Sequence, residues 1–268
     1  MRYDLNNKTV VITGASSGIG RELATRLVTK YNCTVYAVAR RATLLDEISK
    51  EAGDHFIPTP FDASIREEWT RLAKRLDSEG VVVDMLINCA GVLPKLASVE
   101  NSTPDELLST MEINFLSQVY ATDAFLPSIE KSTQGAIISF SSSSALCPFG
   151  GVSAYCASKS ASRAYFECLA RENKKIYVAS VMNGFVKTDI MKSQGASEHD
   201  VAVFSKISAD LQKTVNKIIK KIKRRKGRII VGLDAHLMNF LYKLFPRLGP
   251  AIITRVLKKS GLEIFDKI

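Results

Sequence analysis

Seven short runs rich in β-branched and apolar residues recur along the chain, at 9–13, 34–39, 56–60, 81–88, 136–141, 176–181 and 228–231. Most are apolar almost throughout instead of alternating with polar residues, which is how strands covered on both faces of a parallel sheet read. Stretches of helical character separate them, at about 18–30, 42–52, 64–79, 105–130, 153–172 and 198–225. Parallel strands joined by helices cross over right-handedly. The alternation therefore predicts an α/β, doubly wound, mostly parallel seven-stranded sheet with helices on both faces. The 268 residues, 46% hydrophobic and 24% charged, suffice for one such core and exclude a disordered chain. No internal repeat or low-complexity linker divides them. Residues 1–232 are expected to hold the sheet and a built-in site, with 233–268 as a helical extension of the same domain.

The net charge of +10 is unevenly placed: residues 1–205 carry 21 Lys+Arg against 23 Asp+Glu, and residues 206–268 carry 16 against 4. A nucleic-acid-binding domain usually spreads basic charge over a folded face, so nucleic acid is not expected as a partner. Residues 217–228 are a Lys/Arg run without an acid, and helical stretches follow at 235–244 and 250–259. There Leu237, Phe240, Leu244, Ile252 and Val256, with other apolar residues, are interleaved with Lys243, Arg247, Arg255, Lys258 and Lys259. Such a basic amphipathic tail has three readings. It is a solvated face, a layer packed over a pocket or subunit interface, or a peripheral contact with an anionic membrane through 217–259. No run of 18 apolar residues predicts a spanning helix, and the opening MRYDLNNK lacks a signal peptide's apolar core. Cys33, Cys89, Cys147, Cys156 and Cys168 form no C-x-x-C pair. The expectation is a cytoplasmic chain, or one lying peripherally on a membrane surface, with reduced thiols and no metal site.

Residues 13–20 read Thr-Gly-Ala-Ser-Ser-Gly-Ile-Gly, after a strand and at the opening of a helix. Gly14 can make the tight turn, Gly18 lets the backbone approach a pyrophosphate, and Gly20 lets helix and strand pack closely. The helix start offers free N–H groups and partial positive charge to phosphates bordered by Ser16, Ser17 and Ile19. Strand 34–39 then runs into Arg40-Arg41. An acid there would take the 2′-hydroxyl of NAD, whereas Arg matches a 2′-phosphate. This predicts NADP(H) in preference to NAD(H), with Arg40 as main contact and Arg41 as helper. The G-x3-G-x-G spacing resembles the T-G-x-x-x-G-I-G loop of the short-chain dehydrogenase/reductase superfamily, with a Rossmann fold. Ala39 stands where NAD-preferring members carry Asp. Asp62 resembles the adenine-contacting Asp, and Asn88-Cys89-Ala90-Gly91 resembles the N-N-A-G motif, with Cys89 in place of the second Asn.

Tyr155-Cys156-Ala157-Ser158-Lys159 puts Tyr155 and Lys159 on one helical face. With Ser142 upstream and Asn114 before it, the order and spacing resemble the family's catalytic Asn, Ser, Tyr and Lys. In the run 141–144, Ser141 or Ser143 would fit by one position. The resemblance implies Tyr155 as acid/base, Ser142 as donor to the substrate oxygen, Lys159 on the ribose hydroxyls and Asn114 holding a water. An ammonium ~4 Å from a phenol contributes ~4 kcal/mol at an effective dielectric near 20, so Lys159 is expected to lower the Tyr155 pKa. Residues 181–188 resemble the P-G-x-[VI]-x-T segment, with Asn183 for Pro and Thr188 on the carboxamide. Family substrate loops point to Leu93, Ala145, Leu146, Phe149, Met191 and Phe204, with 189–205 as a lid. These are apolar, which implies a ketone or secondary alcohol on a lipid- or steroid-like body. Helices 105–130 and 153–172 resemble the pair through which members form homodimers or homotetramers. The rival readings are a catalytically silent dinucleotide-binding regulator and a membrane-surface interaction protein.

Overall fold

The computed structural model describes residues 2–191, 196–262 and 265. Its strands are β1 (Thr9–Thr13), β2 (Thr34–Ala39), β3 (Phe56–Pro60), β4 (Met85–Asn88), β5 (Ala136–Phe140), β6 (Tyr177–Asn183) and β7 (Arg228–Val231). They form one sheet in the order β3-β2-β1-β4-β5-β6-β7. Every neighbouring pair is parallel, as the alternation predicts. The strand order reverses direction between β1 and β4, and such a switch point opens a crevice beyond the carboxyl ends of the strands.

Side chains of β1 alternate between two cores, because a strand turns successive residues to opposite faces. Val10 and Ile12 meet Leu23 and Leu27 of α1 (Gly18–Tyr31), Leu45 and Ile48 of α2 (Ala42–Ala52) and Val215 and Ile218 of α8 (Leu211–Lys223). Val11 belongs to the other face, with Trp69 of α3 (Arg66–Ser78), Phe125 of α5 (Ser117–Lys131) and Phe166 of α6 (Ser153–Glu172). Trp69 is fully buried and meets Phe61 and Phe125 edge-on, with ring centroids 4.9 and 6.3 Å apart.

Three elements differ from their sequence pattern. The run 81–88 is strand only from Met85; just before it, Asp84 is hydrogen-bonded through its backbone to Thr9 and Ala136, and its carboxylate accepts the Thr9 N–H at 2.9 Å. The long helix expected at 105–130 is α4 (Pro104–Met111), a π-helical stretch Glu112–Leu116, and α5. The stretch 198–225 divides into α7 (Glu198–Ile207) and α8. Ser197 caps α7 and Asp210 caps α8, each with its side chain on a backbone N–H. The break at Ala209 exchanges backbone hydrogen bonds with Phe185 and Lys187, so it braces the loop after β6.

The tail forms α9 (Leu233–Leu244) and α10 (Leu248–Lys258). Its inward residues Met238, Ile253, Leu257, Leu262 and Phe265 join Cys147, Met191 and Phe204 in a third apolar cluster. None of the described helices is long and apolar enough to cross a membrane. Asp234, in the first turn of α9, accepts the Phe185 N–H at 2.6 Å. A Cβ on Gly184 would lie 2.0 Å from both oxygens of that carboxylate. Gly184→Ala therefore displaces the carboxylate and loses a charge-assisted bond, a destabilisation of about 2 kcal/mol. In an Asp234→Ala background the same substitution costs clearly less, which a double-mutant cycle of urea denaturation measures.

Candidate active site

The β1–α1 turn is built on close backbone approach. A Cβ on Gly20 would lie 2.3 Å from the Gly14 carbonyl oxygen, and Gly14 itself takes φ +69° against the Ala90 backbone. Gly18, at φ +54°, faces Thr188, whose methyl would be 3.2 Å from an added Cβ. Thr13 Oγ1 accepts the N–H groups of Cys89 and Ala90 at 2.9 and 2.8 Å. It thereby ties the loop after β4 to the glycine turn, a role the sequence reading missed although Thr13 opens the motif.

The two arginines after β2 point differently. Arg41 donates from Nε and Nη2 to Ser16 Oγ (3.3 and 2.9 Å) and from Nη2 to Ser17 Oγ (2.9 Å). Arg40 is exposed, its Nη1 3.8 Å from Asp62 Oδ2.

Tyr155 and Lys159 lie one turn apart on α6, beside the end of β5. Ser142 caps the 3-10 turn Ser143–Ala145 by accepting the Ser144 N–H at 3.1 Å, and its side chain stands beside Tyr155, where it favours the phenolate. Ser141 instead donates to the Lys159 carbonyl at 2.7 Å, which turns it away from the phenol. Lys159 Nζ donates to the Phe140 carbonyl at 3.1 Å and sits 5.8 Å from the Tyr155 ring centroid. Asn114, fully buried in the π-helical stretch, donates from Nδ2 to the Val92 carbonyl (2.9 Å) and Ser158 Oγ (3.1 Å) and accepts the Val92 N–H (2.7 Å). The extra residue of a π turn carries this amide out of the helix line, a placement common at functional sites. Gly91 passes so close that an added Cβ would meet Lys159 Nζ at 2.9 Å and Asn114 Oδ1 at 3.1 Å.

These residues surround a cavity of about 480 Å³ that runs from the glycine turn to the tail. Its wall includes Gly14, Ser16, Ser17, Gly18, Ile19, Gly20, Arg40, Arg41, Asp62, Ala90, Gly91, Ser142, Tyr155, Lys159 and Thr188. Asn88 and Asn114 stand behind the wall. Asn88 is buried with its Nδ2 3.5 Å from the Gln118 carbonyl. Of the apolar residues expected on the substrate side, Leu93, Phe149, Met191 and Phe204 line the cavity. Leu146 and Ala145 do not: both are buried in or just after the 3-10 turn, outside the lining. Leu96, Val152, Leu257, Leu262 and Phe265 take their place. Within the expected lid 189–205, residues 192–195 lie outside the described residues, while Met191 and Phe204 are packed into the third cluster.

The electrostatics correct one expectation. Tyr155 is pushed up to about 12 by burial, offset only in part by the neighbouring Ser142 side chain. Burial also pulls Lys159 down to about 8. Desolvation thus outweighs the lowering expected from the ammonium, and in the free protein both groups lean toward their neutral forms.

A glycine turn at a strand switch point thus opens into the same cavity that holds the Ser-Tyr-Lys cluster. The chain belongs to the short-chain dehydrogenase family, whose family model, described as short chain dehydrogenase, matches residues 8–199. It is 31% identical over 261 residues to a "Dehydrogenase/reductase SDR family protein 7-like" of Drosophila melanogaster, covering 92% of this chain and 79% of that protein. It is 35% identical over 198 residues to "11-beta-hydroxysteroid dehydrogenase A" of Sesamum indicum, covering 71% of this chain and 56% of that protein. Its fold matches a short chain dehydrogenase of Burkholderia cenocepacia solved in complex with NADP, with a TM-score of 0.78 at 22% identity, covering 95% of this chain and 99% of that one.

The buried ammonium has a consequence for stability. Between about pH 8 and the ordinary lysine value the unfolded chain holds a proton on Lys159 that the folded chain has released. The contribution of Lys159 to stability therefore rises with pH through that window. Lys159→Met removes the charge, and the variant without cofactor is expected to be about 2 kcal/mol more stable than the parent at neutral pH. That advantage disappears above about pH 10, as urea titrations at several pH values would show.

Proposed function

We propose that this chain is an NADP(H)-dependent oxidoreductase that interconverts a ketone and a secondary alcohol on an apolar, lipid- or steroid-like substrate. The observation that carries this reading is the division of one cavity into two chemically distinct ends. At one end are the glycine turn, the helix start and two arginines. At the other, beyond Ser142 and Tyr155, stand Leu93, Leu96, Phe149, Met191, Phe204 and Leu257. Among the described residues, the cations lining the cavity are Arg40, Arg41 and Lys159, which leaves the apolar end without a clamp for a carboxylate or phosphate.

The dinucleotide fits the residues present. Gly14 and Gly18 leave room where any side chain would stand against Ala90 or Thr188. The start of α1 faces the same space with uncapped N–H groups, Ser17 making no side-chain cap. Arg41, braced on Ser16 and Ser17, is the better placed of the two arginines for a 2′-phosphate, with Arg40 beside Asp62 on the adenine side. This reverses the ranking read from the sequence. One name among the relatives supports the choice of NADP, "NADP-dependent 3-hydroxy acid dehydrogenase" of Schizosaccharomyces pombe, 29% identical over 191 residues; the sesame name supports a steroid-like substrate.

When bound, the nicotinamide supplies or accepts the hydride. The chain's own part is proton transfer and positioning. Tyr155 holds its proton throughout the neutral range and gives it to the carbonyl oxygen during reduction. Ser142 donates a second hydrogen bond to that oxygen as charge develops on it. Lys159, held by the Phe140 carbonyl, places a cation beside the ribose hydroxyls and the phenol. Asn114 fixes the Val92 backbone and so the floor on which Lys159 rests. Exposed Leu107, Leu108 and Tyr165 on α4 and α6 support pairing of two copies through those helices.

Oxidation of NADPH followed by its absorbance, with steroids, acyl ketones and small diketones as a panel, tests the assignment. Reduction is expected with apolar ketones. Tyr155→Phe keeps NADPH binding and loses turnover by about 10³-fold. Arg41→Ala raises the KM for NADPH by about tenfold or more and leaves that for NADH unchanged, while Arg40→Ala has the smaller effect. A wild-type preference for NADH would overturn the cofactor assignment.

A further inference from the structure

The tail has a second apolar side that the cavity does not use. In α9, Ala235 and Met238 point inward, while Leu237, Phe240 and Leu244 are 53%, 56% and 56% exposed. In α10, Gly249, Ile253 and Leu257 point inward, while Leu248, Ile252 and Val256, spaced one turn apart, are exposed. Leu233, Tyr242 and Phe245 are exposed as well. The helices are locked together at Gly249, where a Cβ would lie 3.0 Å from the Leu241 backbone. Large apolar side chains left exposed at this density on two packed helices mark an interaction site.

The charge around them identifies the partner. Residues 235–262 contain no Asp or Glu. Lys243 on α9 and Arg255 on α10 are exposed, as are Arg247 and Lys259 at the two ends of α10. A second copy docked on this face would bring those four cations against their own equivalents, and among the described residues of the two helices the one carboxylate, Asp234, is engaged by the Phe185 N–H. An anionic lipid surface satisfies both halves of the pattern: it takes Leu, Phe, Ile and Val into the acyl boundary and Lys and Arg against headgroups. Helix α8 offers no such combination, because Val215, Ile218, Ile219 and Ile222 are buried in the core, while Lys213, Lys217 and Lys220 lie outside with no large apolar neighbour on that face.

We propose that α9 and α10 form a docking surface for an anionic lipid bilayer, lying in the interface without crossing it. This rests on the tail alone and stands whether or not the substrate reading above is right.

Sedimentation of the full chain with vesicles of phosphatidylcholine alone, or with phosphatidylserine added, tests the proposal. Binding to the phosphatidylserine vesicles is expected to exceed binding to neutral ones by about tenfold and to weaken with added salt. A Phe240→Ser, Leu244→Ser, Ile252→Ser variant and a Lys243→Glu, Arg247→Glu, Arg255→Glu variant are each expected to lose about tenfold or more. Lys217→Glu with Lys220→Glu on α8 is expected to change binding less than about twofold. Circular dichroism and NADPH binding establish that each variant is folded. The proposal is overturned if the folded wild-type chain ignores both vesicles, or binds both equally. It is also overturned if the α8 variant abolishes binding while the tail variants keep it. Concentration-dependent self-association in sedimentation velocity, removed by the Phe240, Leu244 and Ile252 substitutions and unaccompanied by vesicle binding, would assign the face to a second copy instead.

Discussion

Burial of the Lys159 ammonium is the constraint around which the site is arranged. An isolated charge taken out of water is strongly disfavoured, and Lys159 is only 4% exposed. The surrounding backbone answers this in three ways. The Phe140 carbonyl at the end of β5 accepts from Nζ. Gly91 has no side chain, so the loop after β4 can pass within contact of the ammonium. Asn114, which holds that loop through both hydrogen bonds to Val92, presents its Oδ1 to the same space. The pull of Lys159 down to about 8 shows that this support is partial. A polar or anionic ligand drawn toward Lys159 would complete its solvation, so the strain in the free protein favours ligand binding.

The same economy of space governs the glycine turn. Thr13, Gly14, Gly20 and Ala90 bring β1, α1 and the loop after β4 within backbone contact, at the point where the strand order reverses. No large side chain can enter, and what remains is a row of backbone N–H groups at a helix start. Arg41 closes one side by lying across Ser16 and Ser17. Its guanidinium is already oriented before any ligand arrives, which reduces the entropy lost on binding.

Much of this was legible in the residues, and what was not has specific causes. Buried parallel strands are continuously apolar, so β1, β2, β3 and β7 stand out in the sequence with the bounds they have in the fold. The spacing of Tyr155 and Lys159 survives folding because a helix preserves it. The π-helical turn at Asn114 left no mark, since one extra residue barely disturbs a 3.6-residue pattern. The break at Ala209 was hidden because the helical pattern resumes on both sides, although Asp210 three residues before Lys213 is a readable cap. Arg40 and Arg41 could not be ranked, because which of two neighbours turns toward the glycine loop depends on how the chain leaves β2. Leu146 and Leu257 were interchangeable as apolar residues. Only the packing of the tail sets Leu257 on the cavity and leaves Leu146 behind the turn.

The clamp from Asp234 to Phe185 joins two parts of the chain with different duties. It ties the first turn of α9 to the segment 184–188 that leads to Thr188, in the part of the cavity facing Gly18. One carboxylate of the outer helices is thus a fixed point of the chamber they cover, so the tail and the cavity wall share an anchor.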